Sequence, residues 1–135
     1  MYEVLEHTAD IGIVAYGQRL EDAFANAALG LFNLITDLDQ VKEETFREIE
    51  VEANDQEGLL VGWLNELIYL FDAENILFRR FEFQELRPTR LKARAFGEKV
   101  DTSRHPIKLG VKAATYHQLQ VKKGDGYRVQ VIFDI

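Results

Sequence analysis

Two short segments hold the residues best suited to chemistry: His7-Thr8-Ala9-Asp10-Ile11-Gly12-Ile13 near the start and Phe133-Asp134-Ile135 at the end. Each sets a carboxylate at the edge of an apolar strand, where desolvating its charge is costly unless a cation or a hydrogen-bond donor meets it. A final strand also brings the main-chain carboxylate of Ile135 to that edge. Three anionic oxygen groups converging there would suit a hard divalent cation. If the strand opening at Asp10 and the strand closing at Asp134 are antiparallel neighbours, both carboxylates meet at one rim of the sheet. Spacing alone favours a plainer reading, a pair of solvated strand-end aspartates, because element ends are rich in Asp.

The histidines divide by context. His7 sits just before Asp10. His117 shares its expected strand face with Ala113, Thr115, Leu119 and Val121, so it reads as a buried, hydrogen-bonded core histidine. The alternative for His7 and His117 is to orient a carboxylate from behind. His105 precedes Pro106 in an expected loop and receives no role. In Trp63-Leu64-Asn65-Glu66-Leu67, Glu66 reads as part of a solvated helix face. Lys112, Lys122 and Lys123 lie on or near the polar side of a C-terminal hairpin, and Arg79-Arg80 forms a second basic cluster. As RNA-binding surfaces both are weak, since no aromatic stacking motif interleaves these charges. The chain has no Gly-x-Ser-x-Gly, no Walker-type loop, no His-Glu-x-x-His and no dinucleotide fingerprint, which disfavours the common enzyme classes that use them.

The elements that must position these groups follow from periodicity. Ile11, Ile13 and Ala15 alternate with Gly12, Val14 and Tyr16, a strand ending at Gly17. Leu20, Phe24, Ala27, Ala28, Leu31, Phe32 and Ile35 then recur at helical spacing, with Glu21 and Asp22 in the first turn, where the helix dipole favours anions. Glu48 to Ala53 alternates as a strand with one wet face. A second helix carries Leu60, Trp63, Leu64, Leu67, Ile68 and Phe71, with Gly58 and Gly62 as places of close approach. Strands are expected at Phe78–Leu86 and Leu91–Val100, turning at Arg87-Pro88-Thr89-Arg90. The last third predicts a hairpin of Val111–Lys122 and Tyr127–Asp134. A three-residue turn closing at Gly126 sets Val121 opposite Val129 and Leu119 opposite Val131, keeping both apolar sets on one face. That register, continued, sets His117 opposite Phe133 and Tyr116 opposite Asp134.

At 135 residues the chain predicts one domain, 1–135, able to bury roughly 65–70 % of its unfolded surface. The fold class is α+β, a layered domain with a mainly antiparallel sheet packed on two principal helices. The lack of cysteine removes disulfides and thiolate chemistry. With no basic flank before a long apolar run, the expectation is a soluble cytoplasmic protein without a membrane role. Sixteen basic against 23 acidic residues give a net charge of −7, which argues against a broad phosphate-tracking surface. Work on nucleic acid would then go through a partner.

Taken together, Glu6-His7-Thr8-Ala9-Asp10-Ile11-Gly12, Leu20-Glu21-Asp22-Ala23-Phe24, Trp63-Leu64-Asn65-Glu66-Leu67, Lys112-Ala113-Ala114-Thr115-Tyr116-His117 and the closing Phe133-Asp134-Ile135 closely resemble the archease family over nearly the whole chain. The resemblance implies a non-enzymatic accessory of an RtcB-type tRNA-splicing ligase. Such a protein promotes guanylylation of the ligase, supports its turnover and widens the nucleotides it accepts. Contact with tRNA and GTP would be indirect, through the ligase. The resemblance also implies a divalent metal site, with calcium as the expected ion, at Asp10, Asp134 and Ile135. Two rival readings remain, a chaperone-like interaction module exposing an apolar patch and a stand-alone metal-dependent phosphoester hydrolase. The hydrolase lacks a third side-chain carboxylate at recognisable spacing.

Overall fold

The computed structural model of the chain describes residues 1–6 and 10–135. In order these form β1 (Tyr2–Glu6), β2 (Asp10–Gly17), α1 (Leu20–Ile35), β3 (Thr45–Glu52), α2 (Gln56–Glu74), β4 (Ile76–Arg87), β5 (Arg90–Lys99), β6 (Ala113–Lys123) and β7 (Tyr127–Asp134), with a single 3-10 turn at Leu38–Gln40. All strand pairings are antiparallel, and the class is α+β as expected. The strands divide into two sheets, with orders β1-β2-β7-β6 and β3-β5-β4. Both helices contact both sheets.

The helix sequences explain this layering. Leu59, Leu60, Val61, Trp63, Leu64, Leu67, Ile68 and Leu70 of α2 are all buried, and a helix apolar nearly all round needs cover on more than one side. On the three-stranded side, Gly62 lets Val51 of β3 approach so closely that a Cβ at Gly62 would lie 2.5 Å from Val51 Cγ1. On the other side, Asn65 accepts from Ala114 N–H at 2.7 Å and donates to Ala114 C=O at 3.3 Å, fastening β6 to the helix. In α1, Phe24 and Phe32 meet Phe83 and Phe78 of β4 edge to face. The helices are tied together by Trp63, whose indole N–H donates to the Phe24 carbonyl at 3.1 Å. No helix among the described residues is long and apolar enough to cross a membrane.

Two strands depart from a strict period of two. Register shifts in β4 between Phe78 and Arg80 and between Phe83 and Glu85 each insert one residue, so Phe78, Phe81, Phe83 and Leu86 all pack on the core despite uneven spacing. In β6 the hairpin turn is the expected three-residue one, with Val121 opposite Val129 and Gly124 N–H donating to Gly126 C=O at 2.8 Å. Beyond Gln120 the expected register fails. Gln120 pairs with Gln130 and Thr115 with Ile132, so four residues of β6, Tyr116 to Leu119, stand against Val131 alone. Gln118 turns through the left-handed region at φ 52°, and its carbonyl accepts from the Gln130 side chain at 3.0 Å. The bulge therefore answers a buried amide that a regular strand would leave without this partner.

Candidate metal centre

β2 and β7 are antiparallel neighbours, and their register sets Asp10 directly opposite Asp134. Opposed residues in such a pair have Cα atoms about 5 Å apart and side chains on the same face. The rim is held from the far side as well, because Ala113 pairs with Asp134 and Lys112 N–H donates to the Asp134 carbonyl at 2.9 Å. Ile135, the residue after Asp134, packs its side chain on the core. Ile11 and Phe133, one step inward, are buried and anchor both strands.

Asp10 is half-buried, and its Oδ1 is fully buried with no hydrogen-bond partner among the described residues. Asp134 is exposed. Two carboxylates facing each other repel, and an unpartnered buried carboxylate oxygen costs further free energy; a cation between them reverses both terms. The donors are all oxygen, which suits a hard ion such as calcium and not a thiolate- or imidazole-seeking one. No third His, Cys, Asp or Glu side chain joins them among the described residues. His7 lies outside the described residues.

The chain is matched over residues 2–135 by the model of the Archease protein family (MTH1598/TM1083). It belongs to the archease family. Relatives named "Protein archease" include that of Methanosarcina mazei, 45% identical over 99% of this chain and 95% of the relative, and that of Pyrococcus abyssi, 43% identical over 99% and 98%. Protein 1598 of Methanobacterium thermoautotrophicum, solved in solution, matches with a TM-score of 0.84 at 35% identity, covering 99% of this chain and 98% of that one. A crystal structure from Thermotoga maritima, described as an archease and possible chaperone, shares the fold at a TM-score of 0.58 and 22% identity, over 100% and 98%.

In this member of the archease family His117 is exposed, not buried, and its ring makes no hydrogen bond among the described residues. The bulge is the cause: it takes residues 116–119 out of regular pairing, leaving Tyr116, His117 and Gln118 exposed while Leu119 still packs on the core, and it puts Ala113, not Tyr116, opposite Asp134. The buried histidine is instead His105, 1% exposed. Its Nδ1 accepts from Asp101 N–H at 2.8 Å, leaving the ring proton on Nε2 to donate to the Gln40 carbonyl at 3.0 Å. Beside it Glu98, 3% exposed, takes the Arg104 guanidinium and the Lys42 N–H. The Arg104 hydrogen bond holds the Glu98 carboxyl below the usual glutamate range, against the upward push of burial, and the Lys42 N–H adds to the lowering. Sequence reading missed this cluster because Glu98 continues the wet face of β5 and is buried only when the loop over 100–106 folds across it. The one available signal was an acidic residue followed closely by Asp101, Arg104 and His105.

The Arg79-Arg80 cluster is also changed by its neighbours. Arg80 pairs with Glu43 at 2.6 Å and with Glu82, and its guanidinium lies 3.9 Å from the centre of the Phe96 ring. Across the same outer face Glu48 meets Arg94 at 3.2 Å, Glu50 meets Lys92 at 3.7 Å and Glu52 meets Arg90 at 3.9 Å. This is a compensated charge ladder rather than a basic patch.

Proposed function

We propose that this chain is an accessory activator of an RtcB-type RNA ligase, acting in the cytoplasm, and that it works through a divalent cation, calcium first, held by Asp10, Asp134 and a main-chain oxygen of Ile135. The observation that carries this reading is the cross-strand pairing of Asp10 with Asp134 around a buried Oδ1 that has no hydrogen-bond partner among the described residues. Membership of the archease family supports the partner. When bound, the cation would supply positive charge for the phosphates of a guanylylation reaction. The residues do the positioning. Ile11 and Phe133 fix the strand ends in the core, the backbone pairs hold the two carboxylates face to face, and the exposure of Asp134 leaves the site open toward a partner's pocket. A net charge of −7 complements a basic, RNA-binding enzyme.

The test is guanylylation and multiple turnover of an RtcB-type ligase with this protein added at substoichiometric amounts, where only a recycling activator raises the rate. Asp10→Ala and Asp134→Ala are expected to abolish the effect with the fold intact. A C-terminal extension, which converts the Ile135 carboxylate into an amide, asks whether the free carboxylate is needed. Full activation by both aspartate variants would remove the site from the mechanism. Suppression of heat aggregation without any change in ligation would instead favour the chaperone reading. The large exposed apolar side chains, such as Val4, Phe46, Tyr69 and Tyr116, are spread over β1, β3, α2 and β6.

A further inference from the structure

At the opposite end of β2 and β7 from the aspartates, a recess of about 580 Å³ opens between the end of β2 and the β6–β7 turn. Lys122, Lys123 and Arg128 line it, together with Tyr16 and Tyr127, against one lining carboxylate, Asp125 at the turn; the Tyr16 hydroxyl donates to Glu3 beyond it at 3.4 Å. In a chain of net charge −7 this is a concentrated cationic spot. Eight of the nine arginines are ion-paired to Asp or Glu, on Glu21, Glu74, Glu43, Glu82, Glu85, Glu52, Glu48, Glu98 and their neighbours. Arg128 has no carboxylate partner among the described residues. Its guanidinium is instead steered by two neutral acceptors, Gln120 Oε1 at 2.9 Å and Gln130 Oε1 at 3.3 Å, which orient it without discharging it. Lys123 Nζ lies 5.8 Å from the centre of the Tyr127 ring.

Register explains why the sequence hides this arrangement. Tyr16, Arg128 and Lys122 are aligned across β2, β7 and β6, and Gly17, Tyr127 and Lys123 form the next row. Opposed residues share a face and successive rows alternate, so the Tyr16 ring stands beside Arg128 and Lys122 on one face, while Tyr127, which packs on the core, stands with Lys123 on the other. Cations that track a backbone, set beside rings on which bases stack, are the physical requirements of single-stranded nucleic-acid binding. We infer that this recess is a binding site for single-stranded RNA, with a base against Tyr16 and phosphates on Arg128, Lys122 and, around the turn, Lys123. The inference goes beyond the ligase reading and stands apart from it, since the recess lies about 20 Å from the aspartate rim along β2.

Binding is measured on the isolated protein without ligase or added metal, by anisotropy of a short fluorescein-labelled oligouridylate from low to physiological salt. Three phosphate contacts to a single strand predict a log–log salt slope of about −2, and Lys122→Gln/Lys123→Gln is expected to weaken binding at least about fivefold and to flatten that slope. Both lysines are exposed, so this variant keeps its fold, and Arg128→Lys is expected to retain most of the affinity. Uridine monophosphate competing as well as the oligomer would overturn the strand and leave a free-nucleotide site. No binding at low salt, or equal affinity in the lysine variant, would overturn the site altogether. Because no ligase is present, a failure here leaves the ligase reading untouched, and loss of ligase activation by the aspartate variants leaves this result untouched.

Discussion

Asp10 and Glu98 are both acidic residues with buried oxygens, yet their neighbours give them opposite energetics. Glu98 is satisfied by Arg104 and the Lys42 N–H, whereas Asp10 Oδ1 has no partner among the described residues. For Asp10 the expected consequence is a protein whose melting temperature rises when calcium is added, since a ligand at a hundred times its Kd adds about 2.7 kcal/mol to the folded state. Asp10→Ala should lose that rise while melting no lower than the parent in chelator; a parent unmoved by calcium, manganese and magnesium would contradict the site. For Glu98 the sign is set by its lowered carboxyl. A group depressed on folding contributes stability above its ordinary value, near 4.5, and loses it as pH falls through the folded value. Glu98→Gln should therefore cost about 2 kcal/mol, nearly constant from neutral pH down to the ordinary glutamate range, with the gap to the parent narrowing below it. Urea unfolding across that range checks this, and a gap that widens in acid would refute it.

At the scale of elements, backbone approach and backbone curvature are separable. Gly62 sits in the middle of α2, where alanine would ordinarily gain about 1 kcal/mol of helix propensity. Here its Cβ would lie 2.5 Å from Val51 Cγ1, so Gly62→Ala is expected to destabilise by about 1–3 kcal/mol. Adding Val51→Ala should return part of that loss, and a double-mutant cycle with no coupling would show that the contact is not the cause. The β6 bulge is governed by Gln118 at φ 52°. Gln118→Gly should be neutral or stabilising by about 0.5 kcal/mol, and Gln118→Val should cost 1 kcal/mol or more by roughly the left-handed penalty. Equal stability of the two variants would argue that the bulge relaxes without that turn.

Across the whole molecule, charge is sorted by place. The outer face of the β3-β5-β4 sheet matches each basic residue to an acidic one, so it offers little net field. Along the β2–β7 pair the polarity is unbalanced, with the two aspartates at one end and Arg128, Lys122 and Lys123 at the other. Nucleic-acid affinity should therefore follow the hairpin end alone. Arg79→Gln/Arg80→Gln is expected to leave oligouridylate binding within about twofold of the parent, because those guanidiniums are already engaged by Glu43 and Glu82 in exposed pairs of small individual worth. A loss as large as that of the lysine pair would mean that RNA spreads over the ladder.

Local pattern was enough for the elements whose periodicity is unbroken: α1, α2, β2, the β4–β5 turn and the β6–β7 turn, where the apolar period of 2 or 3.6 and the turn residues act over a few neighbours. It was also enough to nominate Asp10 and Asp134, since each stands at the end of a strand whose sequence shows where it stops. The pairing of those two aspartates depended on which strands become neighbours, and so did the meeting of Tyr16 with Arg128 and Lys122. The division into two sheets around α1 and α2 depended on covering helices that are apolar on more than one side. His117 and His105 exchanged their expected environments for the same reason. A four-residue bulge and a loop crossing a strand face are decided by hydrogen bonds to residues outside the local pattern, Gln130 in one case and Gln40, 65 positions from His105, in the other. Short-range periodicity carries no record of such partners.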